Sequence, residues 1–312
     1  MSEPILLILQ AGALALGLLA GWWLLRCPRP LAASTLMLPS PRDLPNRPGA
    51  EQISVIVPAR DEAANVPELL ASVHAAFGTS AQVLLVDDGS RDETAALARA
   101  AGAEVLAAPA PPPGWTGKAA ACDLGAQTAA RELLLFLDAD TRLGAEALDG
   151  LLTAHEHAGG LISVQPHHRP IRPYEHLASY FNLVALLAGG AFAATPPSRP
   201  VAYGPCLLTS RADYRAVGGH ATVRTAILDD VALAAAYARA GRPVTCHTGG
   251  AAVWMRSYPS GFGQFASGWI KNFASGAAAA APLPTLLTVL WLCAQHAVAA
   301  GGVALVVAAA SD

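Results

Sequence analysis

Hydrophobic and polar positions divide the chain into three textures. Residues 5–25 form an apolar run broken only by Gln10, long enough at about 1.5 Å per residue to cross a bilayer. A second apolar run covers 283–310, interrupted by Gln295, His296 and the Gly301-Gly302 pair. Between them, from Gln52 onward, short β-branched runs alternate with alanine-rich stretches. The pattern predicts strands at 53–57, 83–86, 104–106, 133–137 and 243–247. It predicts helices over 63–77, from the capping residue Asp92 to Ala101, and over 119–131. Strand–helix alternation of this kind means a parallel sheet with helices on both faces, whose ligands sit outside the carboxyl ends of the strands.

Residues 177–194 are also apolar. A crossing there would put the acidic groups before and after it on opposite sides of a membrane, so a core helix or one lying in the membrane plane is expected instead. The stretch 27–49 is rich in Pro and Arg without periodicity and reads as a linker. The expected organisation is an anchor at 1–26, a linker at 27–50, a folded α/β domain at 51–276 with halves at 51–141 and 142–276, and a C-terminal membrane segment at 283–310.

Composition supports the membrane segments. Only 14% of residues are charged, against about 25% in soluble domains, and the mean hydropathy is +0.39. Trp22 and Trp23 end the first run, where indoles favour the interface. No basic residue precedes that run, which argues for an anchor over a cleaved signal peptide. Glu3 precedes it and Arg26, Arg29, Arg42 and Arg47 follow, so the positive-inside rule puts the bulk of the chain in the cytoplasm, at the cell membrane. A net charge of -3 excludes the basic footprint of a nucleic-acid binder. The five cysteines form no CxxC pair, so neither a zinc knuckle nor a redox dithiol is indicated.

The predicted strand ends carry carboxylates: Asp61 and Glu62, then Asp87 and Asp88, then Asp138 and Asp140. Gathering them costs electrostatic energy unless a divalent cation with oxygen ligands or hydroxyl donors compensates. Any one of them is equally well read as a helix cap. No GxGxxG, GxxxxGK[ST] or GxSxG occurs, which removes the dinucleotide oxidoreductase, P-loop and α/β-hydrolase classes.

The run SVIVPARDE from Ser54 to Glu62, VDDGSRD from Val86 to Asp92, Gly117-Lys118, FLDAD from Phe136 to Asp140 and ILDDVAL from Ile227 to Leu233 resemble a family 2 glycosyltransferase. The resemblance implies the GT-A fold: an α/β, Rossmann-like mixed sheet with helices on both faces, here flanked by transmembrane helices. It implies that Pro58, Arg60, Asp61, Glu62, Asp87, Asp88, Lys118, Asp138 and Ala139 bind a nucleotide-diphosphate sugar. Asp138 and Asp140 match the DxD element that holds Mn²⁺ or Mg²⁺. Asp230 takes the place of the catalytic base, beside Asp229 where Glu is usual. Asp61 stands where Asn is usual. His247 is a candidate third metal ligand or a core histidine.

A narrower likeness lies in PPGWTGK from Pro112 to Lys118, Gly204-Pro-Cys206, Gly218-Gly-His220, RSYP from Arg256 to Pro259 and GWIKN from Gly268 to Asn272. These are similar to the membrane-associated branch acting on lipids in carotenoid (diaponeurosporenoate-type) and hopanoid pathways. On that likeness His220, Trp269 and Lys271 face the acceptor, although Trp269 equally suits an interfacial anchor and His220 a loop-structuring role. The implied reaction is metal-assisted, inverting transfer of a sugar to a lipid, possible alternatives being a polysaccharide or protein acceptor, or a scaffold without turnover. The partners are the nucleotide-sugar donor, the lipid acceptor and the bilayer, with no nucleic acid.

Overall fold

A computed structural model describes residues 3–31, 49–258 and 261–311. In chain order the helix α1 (Glu3–Leu24) is followed by β1 (Ile53–Ala59), α2 (Val66–Phe77), β2 (Gln82–Asp87), α3 (Thr94–Ala100) and β3 (Glu104–Ala107). Next come α4 (Gly117–Thr128), β4 (Leu133–Leu137), β5 (Thr141–Leu143), α5 (Ala147–Ala158), β6 (Leu161–Gln165) and β7 (His167–His168). The remainder is α6 (Glu175–Gly189), β8 (Cys206–Ser210), α7 (Arg211–Ala216), α8 (Asp229–Arg239), β9 (Val244–Thr248), β10 (Val253–Met255), α9 (Phe262–Ala279) and α10 (Pro282–Ser311).

The chain forms two compact units. The larger, Arg29–Ser179 with Pro200–Lys271, is built on a seven-stranded sheet of order β3-β2-β1-β4-β8-β6-β9. All pairs in it are parallel except those of β8, which runs antiparallel to β4 and β6. The sheet is therefore mixed where strand–helix alternation predicts a parallel one. The β8 strand arrives after the long 177–194 segment and enters from the opposite direction. A small second sheet joins β5, β10 and β7.

The strands are apolar on both faces because both are covered. Val55, Val57, Leu85 and Leu135 face Leu69, Leu70 and Val73 of α2 and Leu151 of α5. Ile56, Leu84, Val86 and Phe136 face Ala121 and Cys122 of α4 and Leu233 and Tyr237 of α8. Helix α2 starts at Val66, three residues later than its apolar pattern predicts, with Pro67 in the first turn, where a missing N–H costs nothing. Asp92 accepts from the Thr94 N–H at 3.0 Å and from Ala63 N–H at 3.1 Å, tying the entry of α3 to the loop after β1.

The smaller unit comprises Met1–Pro28, Tyr180–Arg199 and Asn272–Asp312. Its α1 and α10 run antiparallel: Gln10 lies beside Gly301, Gly17 against Ala294 and Gly21 against Trp291. The turn after α1 is fastened by Cys27 N–H to the Phe192 carbonyl at 2.9 Å and by Ala194 N–H to the Trp23 carbonyl at 2.8 Å. Among the described residues one helix, Pro282–Val303, is long and apolar enough to cross a membrane, with a mean hydropathy of 1.6. The described apolar part of α1, Ile8–Leu24, is shorter. Most of the expected 27–50 linker lies outside the described residues.

Candidate functional site

The sheet carries the ends of β1, β2 and β4 to one edge of the larger unit, and the start of α8 joins them there. Pro58, Lys118, Asp138, His220, Asp229 and Asp230 line one small enclosed cavity of about 10 Å³, room for roughly one water.

Asp138 follows β4 directly. Its N–H bonds the Pro205 carbonyl at 3.0 Å and its own carbonyl accepts from Thr141 N–H at 3.0 Å, closing a tight turn around Ala139 and Asp140. Lys118, in the first turn of α4, puts its Nζ 2.7 Å from Asp138 Oδ1. Desolvation pulls the Lys118 ammonium down, but the charges of Asp138 and Asp229 outweigh it and hold the lysine protonated, well above its ordinary range. Asp140 is partly buried next to this pair. Desolvation, then the charges of Asp138 and Glu62, push its carboxyl up to about 7.

Asp230 is fixed on both oxygens. Oδ2 accepts from Gly204 N–H and Oδ1 from Val231 N–H, each at 2.8 Å. Desolvation and the neighbouring Asp229 raise its carboxyl to about 6. Asp229 is buried, with His220 Nε2 4.0 Å from its Oδ2. His220 is 2% exposed, packed on Phe136 with ring centroids 5.0 Å apart. The Tyr214 hydroxyl accepts from His220 N–H at 2.9 Å and lies 2.8 Å from His220 Nδ1. The phenol thus bridges the His220 backbone and ring, and with Nδ1 as its acceptor the imidazole proton would sit on Nε2, towards Asp229. Desolvation lowers His220 to about 4, so the ring is neutral near pH 7.

The nucleotide-side candidates are arranged by backbone bonds. Asp61 adopts φ 55°, a left-handed conformation that Asp and Asn tolerate better than most residues. Its Oδ1 accepts from Arg91 N–H at 2.8 Å and its N–H donates to Ser90 Oγ at 3.0 Å. That conformation explains why Asp can stand in for Asn here. Asp87 Oδ1 accepts from Ser90 N–H at 3.0 Å, and Arg60 lies 4.0 Å from Asp88. Gly117 packs so closely on the Asp88 carboxylate that a side chain there would displace it. Glu62 is half-buried and accepts from Asn65 Nδ2 at 2.7 Å, and desolvation raises its carboxyl. Ala139 is buried.

Other expected positions fall elsewhere. His247 lies on β9 beside Pro30 and Arg29, not with Asp138 and Asp140. Among the described residues no three His, Cys, Asp or Glu side chains are grouped to hold a metal. The His247 assignment is therefore corrected: β9 is the sheet's far edge, three strands from β4. Trp269 is buried in α9 and does not line the cavity, and nothing is described of the Lys271 side chain. Pro259 of the RSYP run lies outside the described residues, while Arg256 is taken up by the buried Glu175 at 2.7 Å. Pattern reading missed Tyr214, which sits six residues before its histidine on a different element. It also missed Arg142, whose only signal is a charge in the middle of a short buried strand.

The model of the family described as Glycosyl transferase family 2 matches residues 54–217. The 4,4'-diaponeurosporenoate glycosyltransferase of Staphylococcus haemolyticus is 35% identical over 249 residues, covering 78% of this chain and 66% of that protein. Its counterpart in Staphylococcus aureus is 36% identical over 246 residues, covering 77% and 65%. The chain thus spans just under two thirds of the length of these relatives. Among solved structures, the mannosyltransferase PcManGT of Pyrobaculum calidifontis, in complex with GDP-Man and Mn²⁺, is alike in fold. Its TM-score is 0.59 at 20% identity, with 100% of this chain and 92% of that one covered. With the family model covering more than half of its length and the GT-A fold in place, the chain belongs to glycosyl transferase family 2.

Proposed function

We propose that this chain transfers a sugar from a nucleotide-diphosphate donor to a hydrophobic, carotenoid-type lipid with the help of a divalent cation. The observation that carries the proposal is the meeting of Asp138, Lys118, Asp229 and Asp230 around one cavity. The relatives' name supports a carotenoid-type carboxylate as acceptor, and the solved neighbour's complex supports a nucleotide-sugar donor with Mn²⁺. Residues 51–276 form the catalytic domain in this proposal, nucleotide-binding over 51–141 and acceptor-binding over 142–276, with membrane segments at 1–26 and 283–310.

Asp138 and Asp140 suit the cation. Both offer oxygen only, and Mg²⁺ or Mn²⁺ typically takes one or two carboxylates and completes its shell from water and substrate phosphates. Lys118 offsets only part of the charge of Asp138, Asp140 and Glu62, since the Asp140 carboxyl is still raised to about 7, and a divalent ion supplies further positive charge. When bound, that ion neutralises charge on the leaving diphosphate. Lys118 does the same from α4 as a point charge. Glu62, Asp87 and Asp88 orient the nucleoside by accepting from its hydroxyls and base. Asp230, held by two backbone N–H groups, takes the proton of an attacking hydroxyl. Towards a carboxylate acceptor, which has no proton to lose, it orients the nucleophile instead.

The apolar α10, the apolar run at 5–25 and the arginines after that run support attachment to the cytoplasmic membrane, with the catalytic domain on the cytoplasmic side. The test supplies purified full-length chain with UDP- and GDP-sugars, Mn²⁺ and detergent-solubilised carotenoid acids or polyisoprenoid alcohols, and measures nucleoside diphosphate release. Release that depends on both lipid and metal, with a lipid product one hexose heavier, is expected. Release only with polysaccharide or peptide acceptors, or none with any, refutes the lipid assignment.

A further inference from the structure

Arg142 is a 5%-exposed arginine in β5, two residues past Asp140. An unpaired guanidinium in such a place is costly, so where its donors go is informative. Nη1 donates to the Ala139 carbonyl at 3.1 Å and the Thr141 carbonyl at 2.9 Å. These carbonyls lie one residue before and one after Asp140, so one planar group ties together the two ends of the turn that carries it. Nη2 donates to Glu68 Oε2 at 3.0 Å and Asn65 Oδ1 at 3.4 Å, and Nε to Glu68 Oε2 at 3.3 Å. Asn65 in turn donates to Glu62 at 2.7 Å. The opposite side of the turn is held by the Pro205 carbonyl, which accepts from Asp138 N–H and from Thr141 Oγ1 at 3.2 Å.

We propose that Arg142 is a positioning residue: it sets the turn carrying Asp138 and Asp140 for the cation. The inference rests on the donor-site assignment above. It does not follow from burial alone, because Glu68, the charged partner, is 73% exposed. An ion pair so open to water contributes little stability. The directed feature is the fork, which only a guanidinium presents: a lysine cannot donate to two carbonyls and a carboxylate in one plane.

The experiment measures affinity for UDP and GDP by calorimetry on the full-length chain in detergent, once with EDTA and once with Mn²⁺. Wild type binds one of them, and Mn²⁺ tightens it. In Arg142→Met the metal-free affinity stays within about twofold while the tightening by Mn²⁺ falls about tenfold. Arg142→Lys recovers only part of it. Glu68→Gln, at an exposed position, keeps the fold and gives a smaller loss in the same direction, which serves if Arg142→Met does not fold. Equal losses with and without metal, or an undiminished metal effect in a folded variant, overturn the inference. Absence of any nucleoside diphosphate binding by wild type overturns the donor-site assignment instead.

Discussion

Asp229 and Asp230 are adjacent in sequence, yet the fold treats them differently. Asp230 takes two backbone N–H bonds, whereas Asp229 faces a neutral imidazole across 4.0 Å. Asp230 is both fixed and raised to about 6, a value that suits a group exchanging protons near neutrality. With an alcohol acceptor the rate should rise with pH up to about 6 and level off above it, because the carboxylate form is the base. Asp230→Asn should then lose roughly 10²–10⁴ in kcat. With a carboxylate acceptor, whose oxygen is already anionic, the same substitution should cost less than about tenfold, since orientation alone is at stake. Stability moves the other way. A carboxyl higher in the folded than in the unfolded chain contributes stability that is fully present below about pH 4 and lost as pH rises through about 6. Because Asn keeps an acceptor for only one of the two backbone N–H groups, Asp230→Asn should cost about 1 kcal/mol of stability, with the deficit smaller at pH 7.5 than at pH 5, while turning over alcohols far more slowly. Initial rates on both acceptor types, with melting curves at pH 5 and 7.5, check the pair.

Helix α4 shows how much of the site depends on a whole element. Thr116 caps it, accepting from Ala119 N–H at 3.2 Å, and its first turn delivers Lys118. Two turns later Gly125 rests on the sheet, where a Cβ would lie 2.5 Å from Ile56 Cγ2 and 3.1 Å from Val86 Cγ2. Helix propensity alone favours Ala over Gly by about 1 kcal/mol. The overlap with two β-branched side chains outweighs that, because overpacking typically costs about 1–3 kcal/mol. Gly125→Val should lower the melting temperature by several degrees and weaken nucleoside diphosphate binding together, as α4 lifts and takes Lys118 with it. A normal melting temperature with normal binding contradicts this placement of α4. The strands and their acidic ends were legible because period and turn chemistry are local: Val57, Val86 and Leu137 each end a run of buried apolar residues. What joins the ends was not legible. That β8 enters antiparallel, that Tyr214 meets His220 and that Arg142 folds back onto Ala139 depend on contacts between segments whose spacing carries no signal. His247 misled for the same reason, since a strand-end histidine looks identical whether its strand is central or at the edge.

For the whole molecule, the antiparallel pairing of α1 with α10 decides topology. The pairs Gln10–Gly301, Gly17–Ala294 and Gly21–Trp291 descend one helix as they ascend the other, so the end of α1 and the start of α10 share one end of the pair. Small residues at Gly17 and Gly21 allow the close approach that holds helices together where water provides no hydrophobic drive. Leu9, Leu16 and Leu19 on α1 and Val303, Val306 and Val307 on α10 stay exposed, a surface suited to lipid. Helix α10 has 30 residues, about 45 Å at 1.5 Å per residue, more than a hydrocarbon core of about 30 Å, whereas the described apolar part of α1, Ile8–Leu24, is shorter and crosses only with the help of the residues flanking it. If both cross, everything between them begins and ends on one side, and with Arg26 and Arg29 just after α1 the positive-inside rule predicts that side to be the cytoplasm. Protease added to inverted membrane vesicles should then digest the sheet-bearing unit and leave two protected fragments carrying α1 and α10. The same protease outside intact spheroplasts should leave the chain whole. Digestion in spheroplasts reverses the orientation, and complete loss of both helices in inverted vesicles shows that they lie on the membrane without crossing it.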